Sequence, residues 1–172
     1  MKRNILAFGI AIALLLSASG CGGLNKDEQK AADSISKLFA GTAPTTGSKK
    51  VATCFSQKLV KEAGVKQLQS DKVIDSKLQA SSTVPQKLSK KTAEAYADGL
   101  VTCLNYNDLK PDIKKQSGAT DAQVSAYIKC VGAIDQGELK QSIVDRYTQS
   151  APTAVAKKVA AASAACQKKL GR

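Results

Sequence analysis

Five cysteines are the residues of this 172-residue sequence best able to form covalent bonds or hold a metal ion. Cys54, Cys103, Cys130 and Cys166 lie in the body of the chain, and Cys21 follows an apolar N-terminal segment. Without Cys21 the count is four, and an even cysteine count in an exported chain indicates disulfides. Zinc or redox chemistry is the alternative, but the sequence has no Cys-x-x-Cys pair and no histidine. We therefore expect two structural disulfides, no metal and no cofactor.

The pairing of the four cysteines is not fixed by their spacing, because four cysteines allow three pairings. We expect Cys54 to pair with Cys103 and Cys130 with Cys166, since each bond then joins the first and last helix of one layer. In the chain-entropy model, closing a loop of this length stabilises a fold by about 3 to 5 kcal/mol. Such bonds compensate for an alanine-rich interior with few aromatic side chains.

The absence of histidine also excludes Ser-His-Asp triads and Cys-His pairs. Ser34 and Lys37 form a Ser-x-x-Lys motif, but the Ser-Asp-Asn and Lys-Thr-Gly elements that complete a Ser-Lys acyl-transfer site are missing. We interpret this motif as a solvated helix face. The sequence therefore predicts no catalytic residue and no enzyme.

Carboxylates are few and scattered. Glu94 and Asp98 stand four residues apart on a predicted helix, where they could form a paired acid site or hold a cation. An ion pair with Lys90, one turn earlier, is the favoured interpretation. The two aspartates of segment 108–112 flank a turn that lacks the spaced oxygen ligands and the glycine of an EF-hand.

Three tyrosines fall on the apolar stripes of their helices: Tyr96, Tyr127 and Tyr147. They could line an apolar cavity, although a residue in such a stripe is more often part of the core. A cavity of several hundred Å³ lined by Tyr and Leu would favour a carrier of small apolar ligands.

The N-terminus has the pattern of an export signal. Lys2 and Arg3 precede an apolar run at 5–16, and small residues follow at 17–20. The run has twelve residues, fewer than the roughly 20 that cross a bilayer as a helix. We therefore expect residues 1–20 to be a signal peptide.

Ala18-Ser19-Gly20-Cys21 resembles a bacterial lipobox. The resemblance implies cleavage just before Cys21, attachment of palmitate-type acyl chains to that cysteine, and anchoring to the outer face of a bacterial membrane. Ordinary cleavage after Ala18 or Gly20 is the alternative, and it would leave Cys21 as a fifth cysteine of the mature protein.

The mature chain is strongly basic. Removing Lys2 and Arg3 from 26 basic residues leaves 24 against 14 acidic ones, a net charge of +10. Such a charge favours anionic partners, and after export acidic lipids or wall polymers are more plausible than nucleic acid. The lysines come as pairs spread along the chain, as at 49–50 and 168–169, which predicts diffuse charge. The alternative is that lysine only keeps an alanine-rich surface soluble.

Apolar residues recur at helical spacing almost throughout, which predicts an all-α bundle of about six or seven short helices. Residues 21–48 are predicted to be a tether with one amphipathic helix and a linker, and residues 49–172 the helical domain. The first helix is either a stalk or packs on that domain. Apolar spacing over 65–78 predicts one or two short helices, and Thr120 or Asp121 is a candidate helix cap.

Segments ending in cysteine suggest degenerate helical repeats. The stretches "ADGLVTCLNYNDL" and "AYIKC" resemble uncharacterised exported, helical, cysteine-containing proteins of actinomycete-type bacteria. That resemblance implies a helical fold and an exported location but no activity.

These observations predict a non-enzymatic, lipid-anchored cell-envelope protein that binds an envelope partner or an anionic surface polymer. The alternative is a carrier of a small apolar ligand or lipid in a cavity between helices. An enzyme whose carboxylates only the fold brings together is a third possibility.

Overall fold

The computed structural model describes residues 23–149 and 151–171. This part of the chain forms eight α-helices and a final 3-10 turn, so the predicted all-α fold is confirmed with slightly more helices than expected. The signal peptide at 1–20 and the lipidation site at Cys21 lie outside the described residues. The helices are α1 (Lys26–Ala40), α2 (Thr46–Ala63), α3 (Val65–Ser70), α4 (Lys90–Cys103), α5 (Lys110–Ser117), α6 (Asp121–Gly132), α7 (Gln136–Thr148) and α8 (Ala154–Gln167).

Side-chain caps fix where most of these helices begin. Six of the eight follow a residue whose side chain accepts a hydrogen bond from the first-turn backbone, which satisfies an otherwise unpaired N–H group. Thr120 is one of the two predicted caps, and Gln123 completes its capping box. Gly41 and Gly64 end α1 and α2 at φ of 80° and 82°, a conformation that favours glycine.

The helices pack in two groups. In the first, α1 packs on α2, α2 on α4 and α4 on α7, and this group holds the main hydrophobic core. In the second, α6 packs against α5, α8 and the final turn, and α8 also contacts α7. None of the helices in the described ranges is both long and apolar enough to cross a membrane.

Helix α1 packs on the main body, which answers the question left open by its sequence. Ala31, Ala32 and Ile35 are buried and belong to the same core cluster as Phe55 of α2. In its described part, the predicted tether is therefore a packed helix followed by a loop at 41–45. Helix α2 begins at Thr46, three residues before the predicted start of the domain.

Of the one or two short helices predicted over 65–78, the structure forms one, α3, and the segment at 71–89 is a loop. Asp75 accepts hydrogen bonds from the backbone N–H groups of Lys77 and Gln79, and such local bonds compete with a helix. Lys72 and Leu78 have φ of 59° and 64°, which no helix accommodates. The apolar residues of this loop are nevertheless buried against α1, α2 and α4: Val73, Ile74 and Leu78.

Each group of helices contains one disulfide. Cys54 pairs with Cys103 and joins α2 to α4, and Cys130 pairs with Cys166 and joins α6 to α8. Their Cα–Cα distances of 5.6 and 5.4 Å are typical of disulfides. The structure therefore has the pairing expected from the sequence.

Candidate functional site

Three large hydrophobic side chains are exposed in the described part of the chain: Leu38, Phe39 and Val84, with 47%, 40% and 42% of their surface accessible. All three line the same groove, which has a volume of about 270 Å³. Exposed apolar side chains that gather at one place indicate an interaction site, whereas singly scattered ones do not. We call this feature the α1 groove.

The wall formed by α1 results from how that helix ends. Leu38 and Phe39 are adjacent in the last turn, where they point in directions about 100° apart, and both remain exposed. Ile35, one turn earlier, is buried and forms part of the groove floor. The helix ends at Gly41, so no following turn covers the pair.

The opposite wall is the loop segment at 80–84. The N–H of Ala80 donates to Ser34 Oγ at 2.8 Å, which ties the loop directly to α1. The N–H of Ser81 donates to the Val73 carbonyl at 2.9 Å, and its hydroxyl donates to the Lys72 carbonyl. These bonds fix Ala80 and Ser81, and the next three residues, Ser82, Thr83 and Val84, also line the groove.

A row of aromatic rings leads from the groove into the core. The ring centroids of Phe39 and Phe55 are 4.6 Å apart, those of Phe55 and Tyr96 5.1 Å, and those of Tyr96 and Tyr147 5.2 Å. Phe55, Tyr96 and Leu59 form the apolar floor. Burial, followed by the nearby Tyr147, raises the pKa of Tyr96, so its hydroxyl is neutral at physiological pH.

None of the residues that line the α1 groove is charged, but the segments that form it carry exposed lysines. Lysines 37, 72, 77 and 87 make no ion pair among the described residues. The two carboxylates of segment 71–88 are held by the protein: Asp71 accepts the Ser89 hydroxyl at 2.6 Å, and Asp75 accepts two backbone N–H groups. Burial raises the pKa of Asp71, but hydrogen bonds from Ser89 and Thr92 outweigh this effect and lower it below its usual value.

Glu94 and Asp98 do not form a paired acid site. Glu94 is 3.8 Å from Lys90, the predicted ion pair one turn apart. Asp98 lies between Lys58 of α2, at 2.7 Å, and Lys140 of α7. Hydrogen bonds from these lysines lower the pKa of Asp98, so it joins three helices as a carboxylate.

The other predicted carboxylates and the Ser-x-x-Lys motif have structural contacts. Asp108 pairs with Lys50 at 2.9 Å, and Asp112 accepts the Thr45 hydroxyl at 2.6 Å. Ser34, expected on a solvated helix face, is instead half-buried and accepts the Ala80 N–H, as described above. Among the described residues, no three His, Cys, Asp or Glu side chains are close enough to hold a metal ion.

The three tyrosines do not line one cavity. Tyr96 and Tyr147 are in the main core, whereas Tyr127 packs against Tyr106 in the second group, with ring centroids 6.4 Å apart. Tyr127 and Leu170 border a wider surface groove of about 560 Å³. Polar side chains make up half of its lining: Gln116, Ser117, Gln167 and Lys168. The α1 groove is smaller but more apolar.

Sequence reasoning missed the α1 groove and one buried charge. Leu38 and Phe39 fall at the apolar spacing of the first helix, and Val84 lies in a loop of mostly polar residues. Asp145, the one charged side chain buried in the described ranges, accepts hydrogen bonds from Gln141 and from Thr153, which caps α8. The adjacency of two large apolar residues before Gly41 was the available signal for the groove.

Comparison with known proteins gives no relative: no protein-family description, curated protein or solved structure matches this chain.

Proposed function

We propose that this chain is a non-enzymatic cell-envelope protein, anchored by lipid on Cys21 to the outer face of a bacterial membrane, whose helical domain binds an envelope partner. The observation that carries the binding role is the gathering of Leu38, Phe39 and Val84 around the α1 groove. Exposed apolar surface is costly in water, so a protein that maintains it at one place uses it for contact.

The proposed location is supported by the cysteines. Two disulfides use four of the five cysteines, and disulfides persist in oxidising compartments outside the cytoplasm. Cys21 is left over, next to small residues of the lipobox type. The use of the other four cysteines in disulfides supports lipid attachment at Cys21.

An anionic surface polymer is less well supported as the partner. A polymer site needs cations gathered along one groove, but several lysines are engaged in ion pairs on different helices, among them Lys58, Lys114 and Lys158. The α1 groove adds an apolar surface that a polyanion does not require. The proposed partner therefore presents an apolar group.

A carrier of a small apolar ligand is the second candidate, and the α1 groove is the observation that favours it. Its volume of about 270 Å³ exceeds the roughly 150 Å³ cavity that holds benzene and approaches the lower limit of typical ligand pockets. The groove is bounded by α1 and a loop and opens at the surface, so a bound ligand would remain partly exposed.

Location is tested with Cys21→Ala in the native host, with the acyl chains labelled metabolically. We expect the unchanged protein to carry the label and to enter the detergent phase, and the variant to do neither. Ser19→Ala, which keeps the cysteine, is the matched control. An unlabelled, water-soluble wild-type protein would overturn the anchoring.

The binding role is tested by a photo-crosslinking residue at position 39, compared with one at position 155 on α8. We expect a discrete adduct in intact cells from position 39 alone. Equal adducts from both positions, or none from position 39, would overturn the α1 groove as the contact surface.

A further inference from the structure

We infer that the α1 groove binds a single-chain anionic amphiphile, with the hydrocarbon chain on the aromatic floor and the anionic head toward the exposed lysines of the flanking segments. This inference rests on the proposed function, because it names the chemical class of the envelope component that occupies the same groove.

The hydrocarbon part follows from the lining and the size of the groove. Nine of its twelve lining residues are apolar or aromatic, and Phe55 and Leu59 on the floor are only 1% exposed. A volume of about 270 Å³ is too small for a two-chain lipid but suits one short acyl segment. An occupant would cover the exposed faces of Leu38, Phe39 and Val84, and this burial supplies the driving force.

The anionic head follows from the charges of the surrounding segments. Lys37 and Lys72 are exposed, and each directly precedes a residue that lines the groove, Leu38 and Val73 respectively. Neither lysine has an ion pair in the described part of the chain. Asp71 and Asp75, the carboxylates of the same loop, already accept hydrogen bonds from the protein. A head group at the edge of the groove would therefore lie near two exposed lysines that no ion pair of the described residues engages.

The rim also offers hydroxyl groups to a polar head. Ser82 and Thr83 are exposed and border the groove, and a hydroxyl can donate to a carboxylate. A neutral alcohol would use the hydroxyl groups but gain nothing from the lysines. A cationic head would be repelled by them. Head-group charge therefore separates this inference from simple hydrophobic adsorption.

The experiment titrates the mature chain with three probes of equal chain length: decanoate, decanol and decylammonium. Cys21→Ser is used so that no attached lipid competes, and each probe stays below its aggregation concentration. Calorimetry gives affinity and stoichiometry, and amide NMR shifts give the location. We expect one decanoate per chain, weaker binding of decanol, and the weakest binding of decylammonium, with the largest shifts at 35–39 and 80–84.

Two sets of variants locate the contacts. Leu38→Ser with Phe39→Ser removes the exposed wall and should weaken decanoate binding about tenfold. Val155→Ser on α8 is the matched control and should leave the affinity unchanged. Lys37→Gln with Lys72→Gln should weaken decanoate about two- to fivefold and leave decanol unchanged, whereas Lys157→Gln should affect neither.

A groove-filling variant guards against loss of fold as the explanation. Ala80→Leu adds apolar volume to the wall and should block decanoate while the circular dichroism spectrum and the melting temperature remain close to those of the wild type. Unchanged decanoate binding in this variant would contradict the site.

The inference is overturned by equal affinities for the three probes, by decanoate binding that survives Leu38→Ser with Phe39→Ser, or by binding to phosphatidylglycerol vesicles without binding to monomeric decanoate. The last result would assign the exposed residues to a bilayer. If the native protein is lipidated at Cys21 but decanoate does not bind the Cys21→Ser chain, only the amphiphile inference is overturned. Decanoate binding to a protein that is never lipidated would overturn only the anchoring.

Discussion

At the residue scale, Asp98 shows how a candidate acid becomes a structural charge. Its carboxylate receives hydrogen bonds from Lys140 and Lys58, and Lys58 also pairs with Glu62 at 2.8 Å. The side chain of Asp98 retains 29% of its surface, so solvent screens these ion pairs. The network still stabilises the packing of the three helices, because two ion pairs share the entropy cost of ordering the Asp98 side chain.

Replacing Asp98 with Asn should therefore lower the free energy of unfolding by about 1 kcal/mol at neutral pH. The pKa of Asp98 is lowered in the folded state, so its contribution is present above about pH 4 and is lost as pH falls through the folded pKa. Urea unfolding of both proteins between pH 2 and 7 checks this expectation. Glu94→Gln, whose partner Lys90 is exposed, should have a smaller effect. A difference that is constant down to pH 2 would contradict the ionised network.

At the element scale, the start of α2 approaches the loop after α4 very closely. A Cβ atom at Gly47 would lie within 1.9 Å of the Asp108 carbonyl oxygen, which leaves no room for a side chain. Gly132, in the last turn of α6, has nothing within 4 Å of the same position. A close backbone contact therefore requires a glycine at position 47, whereas no contact requires one at position 132.

Gly47→Ala should destabilise the protein by about 1 to 3 kcal/mol, since the backbone must shift and the gain in helix propensity does not offset that cost. Gly132→Ala should be neutral or stabilising by up to about 1 kcal/mol. Thermal and urea unfolding of the two variants measure both effects. A stabilised Gly47→Ala protein would show that α2 and the loop are not in contact.

The two disulfides also act on different elements. Cys54–Cys103 joins two helices of the main core, and Cys103 itself is buried there. Cys130–Cys166 joins α6 to α8, which have a smaller interface with each other. The loops they close span 49 and 36 residues, so the chain-entropy model assigns each bond about 4 kcal/mol.

Replacing Cys54 and Cys103 with Ala should lower global stability by about 3 to 5 kcal/mol and speed hydrogen exchange throughout α2 and α4. Replacing Cys130 and Cys166 with Ala should release α8 first and leave amides of α4 protected. Hydrogen exchange measured by mass spectrometry separates these outcomes. Uniform loss of protection in both variants would indicate one cooperative unit.

At the scale of the whole molecule, α1 connects the proposed anchor to the groove. The helix follows Cys21 by five residues and has 15 residues, which span about 21 Å. Its buried face joins the core, and its last turn forms one wall of the groove. In the proposed arrangement, this helix therefore places about 21 Å between its first residue, Lys26, and its last turn at the binding groove.

Features carried by local sequence were predictable, and features made by distant contacts were not. Helical periodicity and the cap at Thr120 follow from residues a few positions apart. The cysteine pairing was expected because each bond joins the first and last helix of one layer. Val73, Ile74 and Leu78 have helical spacing, but the turn at Asp75 determines their conformation. The groove joins Leu38 to Val84 across 46 positions, and no local pattern relates them.

The central claim is that Cys21 carries lipid while the other four cysteines form two disulfides. Intact-mass and peptide mass spectrometry of the mature protein from its own membrane, before and after reduction, tests it most directly. We predict a chain that begins at an acylated Cys21, has no thiol open to alkylation before reduction, and exposes four thiols afterwards. A water-soluble product that begins before Cys21, or four thiols that react without reduction, would contradict it.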